Sequence, residues 1–159
     1  MLKLAGICYA AGVGVAVTRP LVLLAAGVGI TPIHSILLAA LDAFPEREIV
    51  FVHAVLNEDV QAFRANFDVL AQKHKNLKVY YRYSDAPTAG IPRTGKASTG
   101  LATAEYLEAL LPGRDADYYF CGPQPFMVAL YHGLMQWGIP ASQVHFEFFG
   151  PRQELERVA

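Results

Sequence analysis

The segment spanning residues 26–32 places two glycines where an apolar run gives way to a helical pattern. Gly27 and Gly29 would let the backbone approach a ligand closely, because neither residue has a Cβ atom. The free N–H groups and the dipole at the start of the next helix favour an anion such as a pyrophosphate. Pro32 stands where the dinucleotide fingerprint has a third glycine. A purely structural role, in which the two glycines only permit a tight strand-to-helix turn, is therefore as good an explanation as ligand binding.

A second segment, Cys121-Gly122-Pro123, ends an aromatic strand pattern with a break that exposes backbone groups. Because side chains alternate between the two faces of a strand, Tyr119 and Cys121 share one face. Cys121 thus comes at the carboxyl end of its strand, where a thiol could contact a ligand. Most free cysteines are instead small buried hydrophobic residues, and that alternative stays open.

Glu147 is an acidic residue in a strand pattern rich in phenylalanine. Alternation places His145, Glu147 and Phe149 on one face of that strand. A carboxylate in such apolar surroundings must be paired, protonated or part of a polar site. A carboxylate at a solvated strand edge is the alternative.

Other residue types that do chemistry lack the spacing that their chemistry needs. Histidines at metal-ligand spacing are absent, and we expect structural or surface roles for His34, His53, His74, His132 and His145. Cys8 and Cys121 are too few and too far apart for a disulfide framework, and neither has a metal-ligand partner. The sequence therefore predicts no metal site.

Five strand patterns alternate with helix patterns along the chain. Apolar or aromatic runs predict strands over residues 20–25, 48–54, 77–83, 117–121 and 144–149. This alternation predicts an α/β fold, a three-layer, doubly wound, five-stranded parallel sheet. In the common strand order 3-2-1-4-5, the ends of the first and fourth strands are neighbours, and ligands bind there in such sheets. The glycine segment and Cys121 would therefore lie side by side.

The helices that follow these strands have recognisable starts. Thr31 is predicted to be the N-cap of the first helix, with Pro32 at its first position. Asn57 is predicted to begin the second helix, and Thr103 to cap a short third one. Residues 84–99 are rich in proline and glycine and long enough to predict a working loop.

The 159-residue chain has the length of one domain, since typical domains have about 100–200 residues. Its 13 basic and 14 acidic residues give a net charge of −1, which excludes nonspecific binding of nucleic acid through an overall positive charge. Charged residues make up 17%, against about 25% in average soluble domains. This deficit hints that part of the surface is normally covered by something else.

The start of the chain resembles a signal peptide, because Lys3 precedes an apolar stretch. Gly6, Gly12 and Gly14 weaken that pattern, so we favour the remnant of a preceding module and a cytoplasmic protein over a secreted one. Glycines and a proline also interrupt the uncharged run 20–33, so no membrane helix is predicted.

Three motifs occur in order along the chain: Ala-Ala-Gly-Val-Gly-Ile-Thr-Pro (25–32), Tyr-Phe-Cys-Gly-Pro-Gln-Pro-Phe-Met (119–127) and Val-His-Phe-Glu-Phe-Phe-Gly-Pro (144–151). Together they resemble the NAD(P)H-binding domain of the ferredoxin-NADP reductase superfamily. Within it they are most similar to flavohemoglobins, the bacterial nitric oxide dioxygenases, because of the Phe-Gly-Pro ending and the His53-Ala54-x-x-Asn57 turn.

The resemblance implies a role for each matched position. The pyrophosphate and nicotinamide end of NAD(P)H would be bound by the glycine segment: Gly27, Val28, Gly29, Ile30, Thr31 and Pro32. Asn57 would add to cofactor binding, and the nicotinamide pocket would be shaped by Gly122, Pro123 and Phe126. The catalytic positions would be Cys121 near the carbon that gives up hydride, Glu147 near the flavin N5, and Phe149 over the flavin ring.

NADH is the expected hydride donor, because the acidic segment 57–59 follows the second strand and offers no arginine for a 2′-phosphate. Arg64 is the nearest arginine, inside the predicted helix. FAD and haem are expected only in the parent system. The family's Arg-x-Tyr-Ser flavin motif belongs to a separate barrel domain, and Arg82-Tyr83-Ser84 has the wrong spacing and lies in the wrong domain.

The resulting hypothesis is an NAD(P)H-dependent oxidoreductase module that delivers hydride from NADH to FAD, as in the reductase part of a nitric oxide dioxygenase. Residues 1–18 would be a remnant of the FAD-binding barrel or a leader segment, 19–151 the NAD(P)H-binding domain, and 152–159 a tail. The module would be incomplete alone, with an FAD-binding domain and possibly a globin domain as partners in cis or in trans. Two alternatives stay open: a flavin or ferredoxin reductase subunit that uses FAD from another chain, and a non-catalytic dinucleotide-binding fragment.

Overall fold

The computed structural model describes residues 18–85 and 96–147 of the chain. Within them, one sheet contains the strands β1 (Leu21–Ala26), β2 (Ile49–Val55), β3 (Leu77–Tyr83), β4 (Ala97–Thr99), β5 (Asp117–Cys121) and β6 (Val144–Glu147). The helices are α1 (Ile30–Ala43), α2 (Arg64–Lys73), α3 (Ala104–Glu108) and α4 (Gln124–Gln136). The strand order is β4-β3-β2-β1-β5-β6, and every neighbouring pair is parallel.

The predicted α/β fold and strand order are confirmed, with one correction to the strand count. The five predicted strands are β1, β2, β3, β5 and β6, and the sixth strand, β4, lies inside the predicted loop and pairs with the edge of β3. The Tyr81 N–H donates to the Lys96 carbonyl at 2.7 Å, and the Gly100 N–H donates to the Tyr83 carbonyl at 2.8 Å. Three residues are too few to give a periodic signal, so the sequence alone did not reveal this strand.

Helices cover both faces of the sheet, which gives the predicted three layers. On one face, α1 and α2 pack against Leu23 of β1 and Phe51 of β2. On the other face, α3 and α4 pack against Leu24 of β1 and Phe120 of β5. All six residues of the central strand β1 are buried, which explains its unbroken apolar sequence.

The predicted helix starts need two corrections. A 3₁₀ turn over Gly27–Gly29 runs directly into α1, so Thr31 lies in the first helical turn rather than at the N-cap. The Asn57 side chain caps only a 3₁₀ turn, by accepting from the Asp59 N–H at 3.1 Å, and α2 begins later, at Arg64. The cap predicted at Thr103 is confirmed, since its hydroxyl accepts from a backbone N–H of α3 at 3.4 Å.

A buried ion pair connects the amino ends of four strands, at the edge of the sheet opposite the glycine turn. The Arg47 Nη2 donates to the Asp117 Oδ2 at 2.5 Å, and these side chains are only 7% and 13% exposed. The Arg47 Nε donates to the Arg19 carbonyl at 2.9 Å, and its own carbonyl accepts from the Asn76 Nδ2 at 2.8 Å. Burial lowers the pKa of Arg47, an effect that the charge of Asp117 opposes. The pair therefore fixes where β1, β2, β3 and β5 begin relative to one another.

We expect Arg47→Met to lower the free energy of unfolding by about 3 kcal/mol, because it leaves the Asp117 carboxylate without its closest partner. The double variant Arg47→Met/Asp117→Leu should recover most of that loss, since neither charge is then left unpaired. Urea denaturation measures both values. Lys78→Met is the control: the pair Lys78–Glu48 spans 2.6 Å but is exposed, so its loss should cost less than about 1 kcal/mol. Equal costs for the two single variants would contradict the structural role of the buried pair.

His53 is a buried histidine of β2 and is 1% exposed. Its ring lies 6.1 Å from that of Phe51 and 5.7 Å from that of Phe67, measured between centroids. Burial in this apolar environment lowers its pKa to about 4. Within the described part of the chain, its Nδ1 has no hydrogen-bond partner. The imidazole is therefore neutral in the folded protein at neutral pH.

Stability should therefore fall as the pH decreases from about 6.5 to about 4. In that range the unfolded chain binds a proton at His53 that the folded chain does not. The free energy of unfolding therefore falls from its value above pH 6.5, by up to about 3 kcal/mol. The difference between wild type and His53→Gln in urea denaturation at several pH values isolates this effect. A difference that stays constant across the range would contradict a neutral, buried His53.

Candidate functional site

The glycine turn and the break after β5 are in direct contact, as the sequence predicts. β1 and β5 pair in parallel with Ala25 opposite Cys121, so both strands end at the same edge of the sheet. A Cβ atom on Gly29 would lie 2.0 Å from the Cys121 carbonyl oxygen, and one on Gly122 would lie 2.8 Å from the Cβ of Ala26. Neither glycine can be replaced by a larger residue unless the two segments move apart.

Gly27 differs from the other two glycines, because it borders open space. Its φ is +51°, in the left-handed region, and a Cβ atom there would meet only the Cγ of Pro123, at 4.0 Å. Gly27 begins the 3₁₀ turn that continues into the 14-residue helix α1. The first N–H groups of a helical segment have no partner within it, so this turn presents donors and the positive end of the helix dipole.

A cleft of about 900 Å³ opens at this edge of the sheet. Its lining comes from the glycine turn, the ends of β2 and β3, the connection from β4 to α3, and the first half of α4: Ala26, Gly27, Val28, Ile30, Thr31, His53, Ala54, Val55, Leu56, Val60, Ala62, Arg82, Ser84, Gly100, Leu101, Ala102, Thr103, Pro123, Pro125, Phe126 and Ala129. The volume falls in the range of small-molecule and cofactor sites, about 300–1,000 Å³, and the mostly apolar lining is typical of them.

The predicted cofactor-binding residues occupy three kinds of position. Six of them line the cleft: Gly27, Val28, Ile30, Thr31, Pro123 and Phe126. Gly29 and Gly122 lie beneath it, in the contact between the two segments. Pro32 lies in the first turn of α1, where backbone N–H groups have no partner within the helix, so the lack of an N–H costs no hydrogen bond. The Asn57 side chain caps the turn after β2. The last two residues do not line the cleft.

Cys121 is fully buried, does not line the cleft, and belongs to the apolar cluster on the face of the sheet that α1 and α2 cover. Burial, together with the nearby charge of Glu147, raises the pKa of the Cys121 thiol to about 11. The thiol is therefore protonated at neutral pH and unsuited to nucleophilic attack. Glu147 lies opposite Cys121 in the pairing of β5 with β6 and is half-buried. Phe149 lies outside the described residues.

The structure separates two arginines that the sequence does not distinguish. Arg64, the nearest arginine considered for a phosphate, donates to the Glu58 carboxylate at 2.5 Å and does not line the cleft. Arg82 is instead the one charged side chain that lines the cleft within the described residues. From the sequence, Arg82 was considered only for a flavin motif and rejected, and the wall at residues 100–103 was not predicted, because both depend on the unrecognised strand β4. The sequence signal that was available is the glycine at position 100. It directly follows β4 and adopts a φ of +115°.

Two classes of site receive no support from the part of the chain that the structure describes. No group of three or more His, Cys, Asp or Glu residues there could hold a metal ion. No helix of those ranges is long and apolar enough to cross a membrane.

Residues 23–132 match the family described as the oxidoreductase NAD-binding domain. A flavohemoprotein from Xylella fastidiosa is 37% identical over 138 residues, which are 87% of this chain and 34% of that protein. The cytochrome P450 reductase GcoB from Amycolatopsis has a TM-score of 0.72 at 26% identity, over 84% of this chain and 38% of that chain. The flavohem-like FAD/NAD-binding domain of a nitric oxide dioxygenase from Vibrio cholerae has a TM-score of 0.69 at 27% identity, over 86% of this chain and 54% of that chain.

The resemblance to the reductase part of flavohemoglobins is confirmed by these matches. The chain spans about a third of the length of the flavohemoproteins it matches. The matched residues include both the turn Gly27–Gly29 and the Cys121-Gly122-Pro123 break, which meet at the cleft. On these grounds the chain belongs to the oxidoreductase NAD-binding domain family.

Proposed function

We propose that the cleft binds NADH and that the chain is the hydride-donating module of a flavohemoglobin-type nitric oxide dioxygenase. The observation that carries the proposal is the contact of Gly29 with the Cys121 carbonyl, because it brings the glycine turn and the Pro123 break side by side at the cleft. When bound, the nicotinamide ring supplies a hydride, and the protein contributes binding and alignment.

The residues of the cleft suit the two ends of a dinucleotide differently. The turn that begins at Gly27 presents backbone N–H donors and a helix start, which fit the pyrophosphate. Pro123 and Phe126 provide a flat apolar wall, which fits the nicotinamide ring. Cys121 would contribute its carbonyl to the contact with the glycine turn, while its neutral thiol packs on the face that α1 covers, with Glu147 on the neighbouring strand. We keep the role of Phe149, covering the flavin ring, as an expectation from the family.

NADH is proposed as the donor rather than NADPH. Asp59 follows β2, directly before Val60 in the lining of the cleft, and its negative charge would repel a 2′-phosphate there. Arg64 is not available to bind that phosphate, because it is paired with Glu58 and lies 3.9 Å from the Asp68 carboxylate.

The acceptor side of the reaction requires partners. We propose that a separate FAD-binding barrel, of which residues 1–18 would be a remnant unless they are a leader segment, takes the hydride, and that residues 19–151 form the NAD(P)H-binding domain with 152–159 as a tail. A globin domain with haem would then use the electrons to convert nitric oxide and dioxygen to nitrate. The partners act in cis in a longer protein or in trans, and the setting proposed is the cytoplasm.

A second candidate function is a reductase module for another acceptor, such as a ferredoxin or a cytochrome. The similarity to the cytochrome P450 reductase GcoB favours it, since that protein has a TM-score of 0.72 and 26% identity. Both candidates use the same cleft and the same hydride donor. They differ only in the partner that follows the flavin.

Gly27→Ala should weaken NADH binding at least tenfold, because the turn must adopt a left-handed conformation that alanine disfavours by about 1 kcal/mol and the new methyl group faces the cleft mouth. Gly29→Ala should abolish binding, since its Cβ would overlap the Cys121 carbonyl. Fluorescence titration with NADH measures both, and circular dichroism checks the fold. Gly113→Ala is the control, because no atom lies within 4 Å of its Cβ position. Unchanged NADH affinity in Gly27→Ala would contradict the placement of the pyrophosphate.

Hydride transfer should appear only when an FAD-binding barrel of the flavohemoglobin type is supplied. Stopped-flow reduction of the flavin by NADH measures the transfer rate, and titration measures binding. Cys121→Ala should slow the transfer more than it weakens NADH binding, because a smaller residue beneath α1 loosens the junction of the glycine turn and the Pro123 break, which aligns the nicotinamide with the acceptor. Absence of both NADH binding and flavin reduction would refute the proposed function. Equal effects of Cys121→Ala on the two measurements would limit Cys121 to packing.

A further inference from the structure

Phe63, the residue directly before α2, has an unfavourable backbone conformation. Its φ is +61° and its ψ is 12°, and no other non-glycine residue in the described part of the chain has a positive φ. This left-handed region is disfavoured for a bulky side chain. The Phe63 side chain is also 52% exposed, so burial of the ring offsets only part of that cost. Such a conformation persists only where the surroundings impose it, and these positions are concentrated at binding sites.

The start of α2 does not require a phenylalanine at position 63. Helices usually begin after Ser, Thr, Asp or Asn in an extended conformation, whose side chain accepts from a backbone N–H of the first turn. Phe63 occupies the N-cap position of α2 and provides no such hydrogen bond. Its carbonyl accepts from the Phe67 N–H at 3.1 Å, a bond that the backbone of any residue could make. The stability of α2 therefore does not explain this residue.

Phe63 ends the segment that forms one wall of the cleft. Val60 and Ala62 line the cleft, and the Oε1 of Gln61 between them accepts from the Tyr83 hydroxyl at 2.6 Å. That bond connects the middle of the wall to β3. At Phe63 the left-handed backbone then redirects the chain from the wall into α2. The position of the wall therefore depends on how Phe63 is held.

His34 of α1 holds the ring of Phe63. The two ring centroids are 5.2 Å apart, and the His34 ring also lies 5.1 Å from that of Phe67, edge-on. His34 comes one helical turn after Ile30 and Thr31, which line the cleft. The three rings thus connect the helix that follows the glycine turn to the cleft wall that ends at Phe63.

The contact between His34 and Phe63 includes a second unfavourable feature. The Nε2 of His34 is buried and has no hydrogen-bond partner within the described part of the chain. A buried polar nitrogen without a partner lowers stability, and an apolar side chain would avoid that cost. Two features that lower stability therefore meet at one contact next to the cleft. Lower stability of this kind is a common cost of a pre-organised binding site.

We propose that Phe63 is a positioning residue: its left-handed backbone, held by the His34 ring, fixes the wall of Val60 and Ala62 in the arrangement that binds the dinucleotide. This inference rests on the proposed function, because it takes the ligand of the cleft to be NADH. A wall already in its bound arrangement binds more tightly, since less conformational freedom is lost on binding. Neither Phe63 nor His34 lines the cleft, so both act through the wall and not by touching the ligand.

The test compares Phe63→Ala with Phe63→Gly, using urea denaturation for stability and fluorescence titration for NADH affinity. Both variants lose the ring contact, but only glycine tolerates the left-handed backbone, so its unfolding constant should be about tenfold smaller than that of the alanine variant. We expect both variants to bind NADH about fivefold or more weakly than wild type, with Phe63→Gly the weaker, because glycine leaves the end of the wall free to move.

His34→Ala tests the same contact from α1. It should weaken NADH binding, and the double variant His34→Ala/Phe63→Ala should bind no more weakly than the weaker single variant, because the two rings act as a unit.

Val69 provides the matched control, as an exposed apolar residue in the middle of α2. Val69→Gly should be less stable than Val69→Ala, because glycine is unfavourable inside a helix, and both should keep wild-type NADH affinity.

The order of the two Phe63 variants decides the matter. A more stable but weaker-binding Phe63→Gly supports the inference, because a residue that only covers Phe67 would give affinities that follow stability. Affinities that follow stability, or that equal wild type in both variants, overturn it, and additive losses in the double variant overturn the role of His34. In each of these cases wild type still binds NADH and the proposed function stands. If wild type does not bind NADH, the proposed function fails and this inference fails with it.

Discussion

The close contact between two strand ends is the constraint on which the site depends. The backbone of Gly29 lies against the Cys121 carbonyl so closely that a methyl group would overlap it, at 2.0 Å. This contact requires a glycine after β1, a sharp break after β5 and the direct pairing of the two strands. It also directs the start of α1 towards the cleft. A helix start that faces a cavity at the carboxyl edge of a parallel sheet is a general solution for binding an anionic ligand.

The rest of the molecule holds these two strand ends in register. The apolar helices on both faces bury β1 completely, and the pair Arg47–Asp117 fixes the amino ends of the strands at the opposite edge. Charge is thus concentrated away from the cleft, whose described wall carries one cation, Arg82. The low charge content of the sequence agrees with this arrangement, because the described lining of the cleft is mostly apolar.

Much of the fold could be predicted from the sequence, because its long elements carry strong local signals. The unbroken apolar run of β1, the alternation in β5 and the hydroxyl cap at Thr103 each depend on neighbours within a few residues. The errors have a common physical origin in features that local patterns do not encode. Asn57 caps a short turn rather than a helix, and β4 exists because it completes the edge of β3. The place of Arg82 in the cleft wall depends on β4 and Gly100, which lie far from it in the sequence. The burial of Cys121 depends on the packing of α1 over β5.

The central claim is that a nicotinamide dinucleotide binds across the junction of β1 and β5, with its pyrophosphate on the glycine turn. Backbone amide chemical shifts in a titration of the ¹⁵N-labelled chain with NADH test it most directly. The account predicts saturable shifts at Gly27, Val28, Thr31 and Phe126, with the amides around Arg47 at the opposite edge unchanged. Shifts confined to other surfaces, or none at saturating NADH, would contradict it.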